Sequence, residues 1–136
     1  QKSDSKAHAQ FLRSALAHEN IVLKSTGEQR RTYCYVMDAV DALLYVLFHG
    51  ESSDIYNIAN SKSVASIAEV AGIISRISGV EVVFDLPSEI ERIGFSKPSN
   101  CILNTEKLEQ LGWNGSYSLE TGFSDTLAIL WETQQE

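Results

Sequence analysis

The sequence predicts an α/β fold built from a small mixed sheet with flanking helices. Three observations carry that expectation. Segments with apolar residues at helical spacing alternate with short β-branched or aromatic runs, in the order α, β, β, α, β, α, β, α, α. Capping residues and stop glycines punctuate the helical segments. The strands are few, and one of them, Ile55-Tyr-Asn-Ile-Ala59, is apolar along nearly its whole length, as in a strand covered on both faces of a parallel sheet. A sheet this small lacks neighbours.

The first helix is expected from about Ser5 to His18, where Ala9, Leu12, Leu16 and Ala17 recur at helical spacing with Phe11 and Ala15 alongside. IVLKS (21–25) reads as a short strand, and a polar turn through Gly27 leads to a second strand, TYCYV (32–36). Asp38 is placed to cap a helix over about 39–48 that Gly50 ends. After IYNIA (55–59), Ser66-Ile-Ala-Glu69 is a capping box in front of Val70, Ile73, Ile74 and Ile77, and this helix stops near Ser78-Gly79. VEVVFD (80–85) is a further strand, and 86–100, with both prolines, reads as loop. Asn104 is expected to cap a short helix that Gly112 ends, and Ser118 a last helix carrying Leu119, Phe123, Leu127, Leu130 and Trp131.

Composition narrows the function classes. The 136 residues suffice for one domain, burying roughly two-thirds of the surface that the unfolded chain exposes. A formal charge of −7 and basic residues dispersed except for Arg30 and Arg31 argue against general nucleic-acid binding, which needs a concentrated basic face. A single small anionic ligand remains compatible. The longest apolar stretch, Ala42 to Phe48, is too short for a membrane span and the N-terminus is too polar for a signal peptide, so a cytoplasmic location is expected. Cys34 and Cys101 have no CxxC spacing and read as reduced, partly buried packing residues. His8, His18 and His49 are scattered without metal-ligand spacing and read as helix-surface or helix-end residues. No metal site is expected.

The segment Gly27-Glu-Gln-Arg-Arg-Thr-Tyr-Cys-Tyr-Val-Met-Asp38 resembles the G-x-Q-x-R-x-[YF]-x-[YHV]-V-x-D segment of the extended short-chain dehydrogenase/reductase family, the NAD-dependent epimerases and dehydratases of nucleotide sugars. Two further regions follow in the same order. Asp54 to Asn60 with Val64 to Ala71 is similar to the family's YNI strand and S-I-x-E-[LV]-A helix. Lys97 to Trp113 resembles its [RK]-P-x-x-S-x-L-D-x-x-K-L-x-x-L-G-W tail, with Asn104 where aspartate is usual. The resemblance covers the second half of the family's length. It implies that residues 1–136 form a C-terminal, substrate-binding domain of a Rossmann-type enzyme.

The resemblance also implies roles. Arg31 would clamp the diphosphate of a UDP- or dTDP-hexose, a task suited to a planar fork of donors. Lys97, with Arg92 as the other candidate, would supply a second diphosphate contact, while Leu23 and Gln29 would lie along the base. Read from the residues alone, Arg31 is a solvated turn residue, a reading the resemblance reverses; Arg30 and Lys97 are surface cations, and Leu23 is apolar packing. Tyr33 and Tyr35 share one face of their strand and read as core.

The family's Gly-rich fingerprint, where a helix N-terminus meets the cofactor pyrophosphate, has no counterpart here. None of Tyr33, Tyr35, Tyr45, Tyr56 or Tyr117 has the catalytic pair's lysine four positions later. NAD is thus expected to be bound by a Rossmann domain outside this sequence, and catalysis, a hydride transfer at the sugar C4 in the intact enzyme, to be carried out there. The start at Gln1 without an initiator Met fits an excised piece of such an enzyme, inactive by itself. The alternative is a module that kept the fold and binds a ligand or a protein without catalysis. Uncovered apolar surface on such a piece predicts a homo-oligomer.

Overall fold

In a computed structural model of the chain, residues 6–86 and 100–134 are described. In chain order the elements are α1 (Ala7–Leu16), β1 (Ile21–Leu23), β2 (Arg30–Thr32), α2 (Val36–His49), β3 (Val64–Ser66), α3 (Ile67–Ser78), β4 (Val82–Phe84), α4 (Glu106–Leu111) and α5 (Leu119–Glu132). The α/β expectation holds, but the mixed sheet is divided in two. β1 pairs in parallel with β4, Ile21 opposite Val82 and Leu23 opposite Phe84, whereas β2 pairs antiparallel with β3, Arg31 opposite Ala65.

The main core lies where α1, α3 and α5 pack together beside β1. Ile74, Val70 and Ala71 from α3 meet Phe11 and Ala15 from α1, Leu127 from α5, and Ile21 and Leu23 from β1. Each fully buried branched aliphatic side chain there contributes about 1.5–3 kcal/mol. A second cluster joins α2 and α4 through Ala42, Leu108 and Trp113, with Tyr56 and Ile58 packed against it.

α3 starts where its residues dictate. Ser66 Oγ accepts from Glu69 N at 3.0 Å while Glu69 Oε2 accepts from Ser66 N at 2.6 Å, the reciprocal cap expected from the sequence. The hydrogen bond from the Ser66 amide, aided by Arg30, holds the Glu69 carboxyl below the usual glutamate range. Gly79 ends the helix in the left-handed conformation. Ser118 caps α5 by accepting from Thr121 N, and Gly112 follows α4 with φ +114°.

Four expected features move. The strand at TYCYV lies two residues earlier, at Arg30–Thr32, and α2 begins at Val36 with Tyr35 at its N-cap. Asp38 therefore does not cap: it sits inside the first turn, 3% exposed, and its carboxylate accepts from Ser116 N and Tyr117 N. Asn104 does accept from the Glu106 amide, but Thr105 occupies the N-cap of α4. IYNIA is not a strand. Its side chains alternate, with Ile55 and Asn57 exposed and Tyr56 and Ile58 turned toward α2, yet the amides of Tyr56 to Ala59 meet no partner among the described residues. A strand requires a second strand, and none pairs with it among the described residues. The missed strand β3 is three residues that run into the capping box at Ser66, too short for any periodicity to show.

The cysteines and histidines also differ in part from expectation. Cys34 is half-buried, but Cys101 is exposed. His8 contacts the Tyr33 ring edge-on and is half-buried, while His49 stacks on Tyr45 with ring centroids 4.3 Å apart. No helix of the described residues is long and apolar enough to cross a membrane.

Candidate functional site

The geometry around Arg31 begins with Gly27. It has φ +68°, and a Cβ there would come within 2.9 Å of both Ala68 N and a Leu23 methyl, so only glycine lets this turn press onto α3. The turn delivers its carbonyls to the start of the helix: Gly27 O accepts from Ala68 N at 3.0 Å and Gln29 O from Ile67 N at 3.1 Å. With Ser66 capping Glu69, the N-terminal amides of α3 are spent on the protein itself and do not form an anion site. Their purpose is to fix the turn that leads into β2.

β2 is held on both edges. Arg31 pairs with Ala65 of β3 on one side and bridges to Cys101 on the other, where Cys101 N donates to Arg30 O and Thr32 N donates to Cys101 O. Asn100 Oδ1 accepts from Arg30 N and Thr32 Oγ1 accepts from Leu103 N. The two most informative sequence segments, 27–38 and 97–113, thus meet at one strand.

The adjacent arginines are treated differently. Arg30 pairs with Glu69 at 3.4 Å and donates to Val64 O at 3.2 Å, tying β2 to β3 and α3. Arg31 is exposed and makes no ion pair among the described residues, where its side chain forms one hydrogen bond, Nη2 donating to Gln29 Oε1 at 3.4 Å. A guanidinium carries a planar fork of donors whose spacing matches two oxygens of an oxyanion. Of the sequence candidates, the fold joins Arg31 and Gln29. Leu23 is 3% exposed, its side chain belongs to the core and its carbonyl accepts from Asp85 N. Arg92 and Lys97 lie outside the described residues.

Next to Arg31 on the same strand face, Tyr33 lines a cleft of about 140 Å³ with His8, Tyr35, Ser63, Gly122 and Phe123. Typical ligand pockets are roughly 300–1,000 Å³, so this cleft is too small for a whole sugar nucleotide. The Tyr33 hydroxyl is buried without a hydrogen-bond partner among the described residues. Burial raises its pKa, and the nearby Arg31 charge opposes that rise. Cys34, facing the second cluster, is raised by burial and then by the negative charge of Asp38. Tyr33 was legible only as core; period-two spacing marks its face but not its stranded hydroxyl. Tyr33→Phe is expected to raise the unfolding free energy by about 1 kcal/mol, because it removes a buried group that pairs with nothing. A loss of stability in urea unfolding would show that the hydroxyl does have a partner.

Comparison with known proteins places this arrangement. The family model described as "NAD dependent epimerase/dehydratase family" matches residues 1–59. GDP-L-fucose synthase of Sinorhizobium fredii is 32% identical over 104 residues, covering 73% of this chain and 30% of that protein. The chain belongs to the NAD-dependent epimerase/dehydratase family. Among solved members, a UDP-glucose 4-epimerase from Thermotoga maritima with UDP-glucose superposes with a TM-score of 0.77 at 25% identity, over 98% of this chain and 41% of that one. A dTDP-glucose 4,6-dehydratase from Bacillus anthracis, solved in complex with NAD, gives 0.75 at 21% identity, over 96% and 40%. The chain therefore spans 30% of the length of the synthase and about 40% of the two solved epimerase/dehydratase chains.

Proposed function

We propose that this chain is the C-terminal, nucleotide-sugar-holding part of an NAD-dependent epimerase/dehydratase, with Arg31 gripping the diphosphate of a UDP- or dTDP-hexose. The observation that carries the reading is the contrast between two adjacent arginines on one pinned strand. Arg30 is spent on Glu69 and Val64, whereas Arg31 keeps its donors and is braced by Gln29. Gln29 acts here as a brace, and the base would run past the edge of β1 at Leu23. Lys97 precedes Cys101 by four residues, and Cys101 is bridged to Arg31, which supports Lys97 over Arg92 as the second cation on the diphosphate.

The residues present do not fit the cofactor. Helices α2 and α3 follow strands or extended residues without a Gly-rich turn, and the free end of α3 is capped by Ser66 and by two carbonyls. In this reading NAD and the hydride transfer at the sugar C4 belong to a partner Rossmann unit, and this chain's share of the reaction is to bind and orient. Its contribution would be fixing the phosphates so that the hexose presents one face, an entropic rather than a chemical task.

Calorimetry with UDP-glucose and dTDP-glucose is expected to show weak, salt-sensitive binding that Arg31→Ala lowers at least 30-fold and Arg30→Ala changes far less once folding is verified. Equal binding by wild type and Arg31→Ala would overturn the assignment. Binding of neither nucleotide sugar would favour the non-catalytic module.

A further inference from the structure

Two arginines stand side by side on β2, and the register of that strand decides which of them faces outward. Side chains along a strand alternate between its faces, so a slip of one residue against β3 would turn Arg30 outward and Arg31 toward Glu69. Neither side chain opposes the slip, because either guanidinium matches the Glu69 carboxylate. At the Gln29 end of the ladder the bonds to Ile67 and Ala68 run from backbone to backbone, and the side-chain requirement there is the room left by Gly27.

The Tyr33 end is different. Tyr33 N donates to Ser63 O at 2.9 Å, which carries the register of Arg31 with Ala65 and Thr32 with Val64 one residue further. Tyr33 O accepts from Asn60 N at 3.1 Å, and the turn 60–63 is closed by Ser63 N donating to Asn60 O at 2.9 Å. One four-residue turn thus holds both backbone groups of Tyr33, two positions after Arg31. Asn60 is 3% exposed, and its side chain is used on both sides: Oδ1 accepts from Lys62 N at 3.0 Å, which shapes the turn, and Nδ2 donates to Tyr117 O at 3.0 Å. Ser63, equally buried, donates from Oγ to the same carbonyl at 3.4 Å.

Tyr117 is itself fixed, since its amide and that of Ser116 donate to Asp38. Tyr33 and Asp38 belong to one continuous stretch of chain, so the path from Tyr33 through Asn60 and Tyr117 to Asp38 is a closed circuit. A slipped β2 changes the length of one arm and opens the circuit at Asn60, leaving a buried amide donor without its acceptor.

We infer that Asn60 is a positioning residue for the ligand site: by closing this circuit it sets the register in which Arg31, and not Arg30, is presented to the diphosphate. The inference rests on the proposed role of Arg31. Asn60 touches no ligand itself, and its effect passes through the strand.

Asn60→Ala, its folding checked by near-ultraviolet circular dichroism, is expected to weaken UDP-glucose binding about tenfold in calorimetry. Nuclear Overhauser contacts in the ligand-free chain read the register directly. In the wild type they join Arg31 to Ala65 and Thr32 to Val64, and in Asn60→Ala a second set joining Arg30 to Ala65 is expected beside them. A Cβ at Gly115 would stand 2.5 Å from Asn60 Nδ2, so Gly115→Ala pushes the same amide away from Tyr117 O while keeping Asn60. It should weaken binding about threefold in the same direction, and it carries the test if Asn60→Ala does not fold. Lowered stability with one register and undiminished affinity would make Asn60 a merely structural residue and overturn the inference. The two readings fail separately: a wild type that binds no nucleotide sugar while Asn60→Ala still mixes the registers removes only the ligand, and Arg31-dependent binding that neither variant disturbs removes only the positioning role.

Discussion

Asp38→Ala is expected to lower the unfolding free energy by roughly 3 kcal/mol, because it takes a buried, charged acceptor away from two amide donors at once. The Asp38 carboxylate, 3% exposed, accepts from Ser116 N at 3.0 Å and Tyr117 N at 3.1 Å, residues nearly eighty positions away in sequence. These bonds hold the turn that leads into α5 against the first turn of α2. The negative charge also sits near the positive end of the α2 dipole, which favours it there. Asp38→Asn keeps the shape and one accepting oxygen but turns an NH₂ group toward the other amide, so it should cost about half as much. Urea unfolding followed by the fluorescence of Trp113 and Trp131 reads both. Near-equal stability of wild type and Asp38→Ala would mean that water replaces the carboxylate without penalty.

The same residue shows why sequence reading went only part of the way. An aspartate ahead of an apolar helical run has the pattern of a cap, and nothing local reveals that distant amides claim it. Where a signal was wholly local it held: the Ser66 and Glu69 capping box, Gly79 and Ser118 are found where the sequence put them. Gly27 was legible as a turn, but its reason, the closeness of Ala68 and Leu23, is a tertiary fact. IYNIA failed as a strand for a different cause. Its apolar run suggested a strand covered on both faces, but its exposure alternates, and β-structure is a relation between two segments, with no partner for it among the described residues. At the site, the motif singled out Arg31 over Arg30, while the contacts that separate them, Glu69 and Val64 for one and Gln29 for the other, come from strands and helices that only the fold brings together.

Ile74→Ala should cost the most of any single change, about 4 kcal/mol. Ile74 is fully buried at the centre of α3, the helix that packs against both α1 and α5. Removing three carbons there loses their transfer free energy and leaves a cavity whose walls belong to three helices and cannot all move in. Ile74→Val removes one methylene and should cost about 1 kcal/mol. Leu47→Ala makes the instructive comparison: an aliphatic residue of the same size in a helix of similar length, but 72% exposed, so its truncation should change stability by no more than about 0.5 kcal/mol. Thermal or urea unfolding of the three variants measures the contrast. A Leu47→Ala cost comparable to that of Ile74→Ala would mean that the exposed face of α2 is already covered, by a second copy of the chain, under the conditions of the experiment; a small one, with Ile74→Ala large, places the structural burden on the α1, α3 and α5 core and leaves α2 free to serve as a surface.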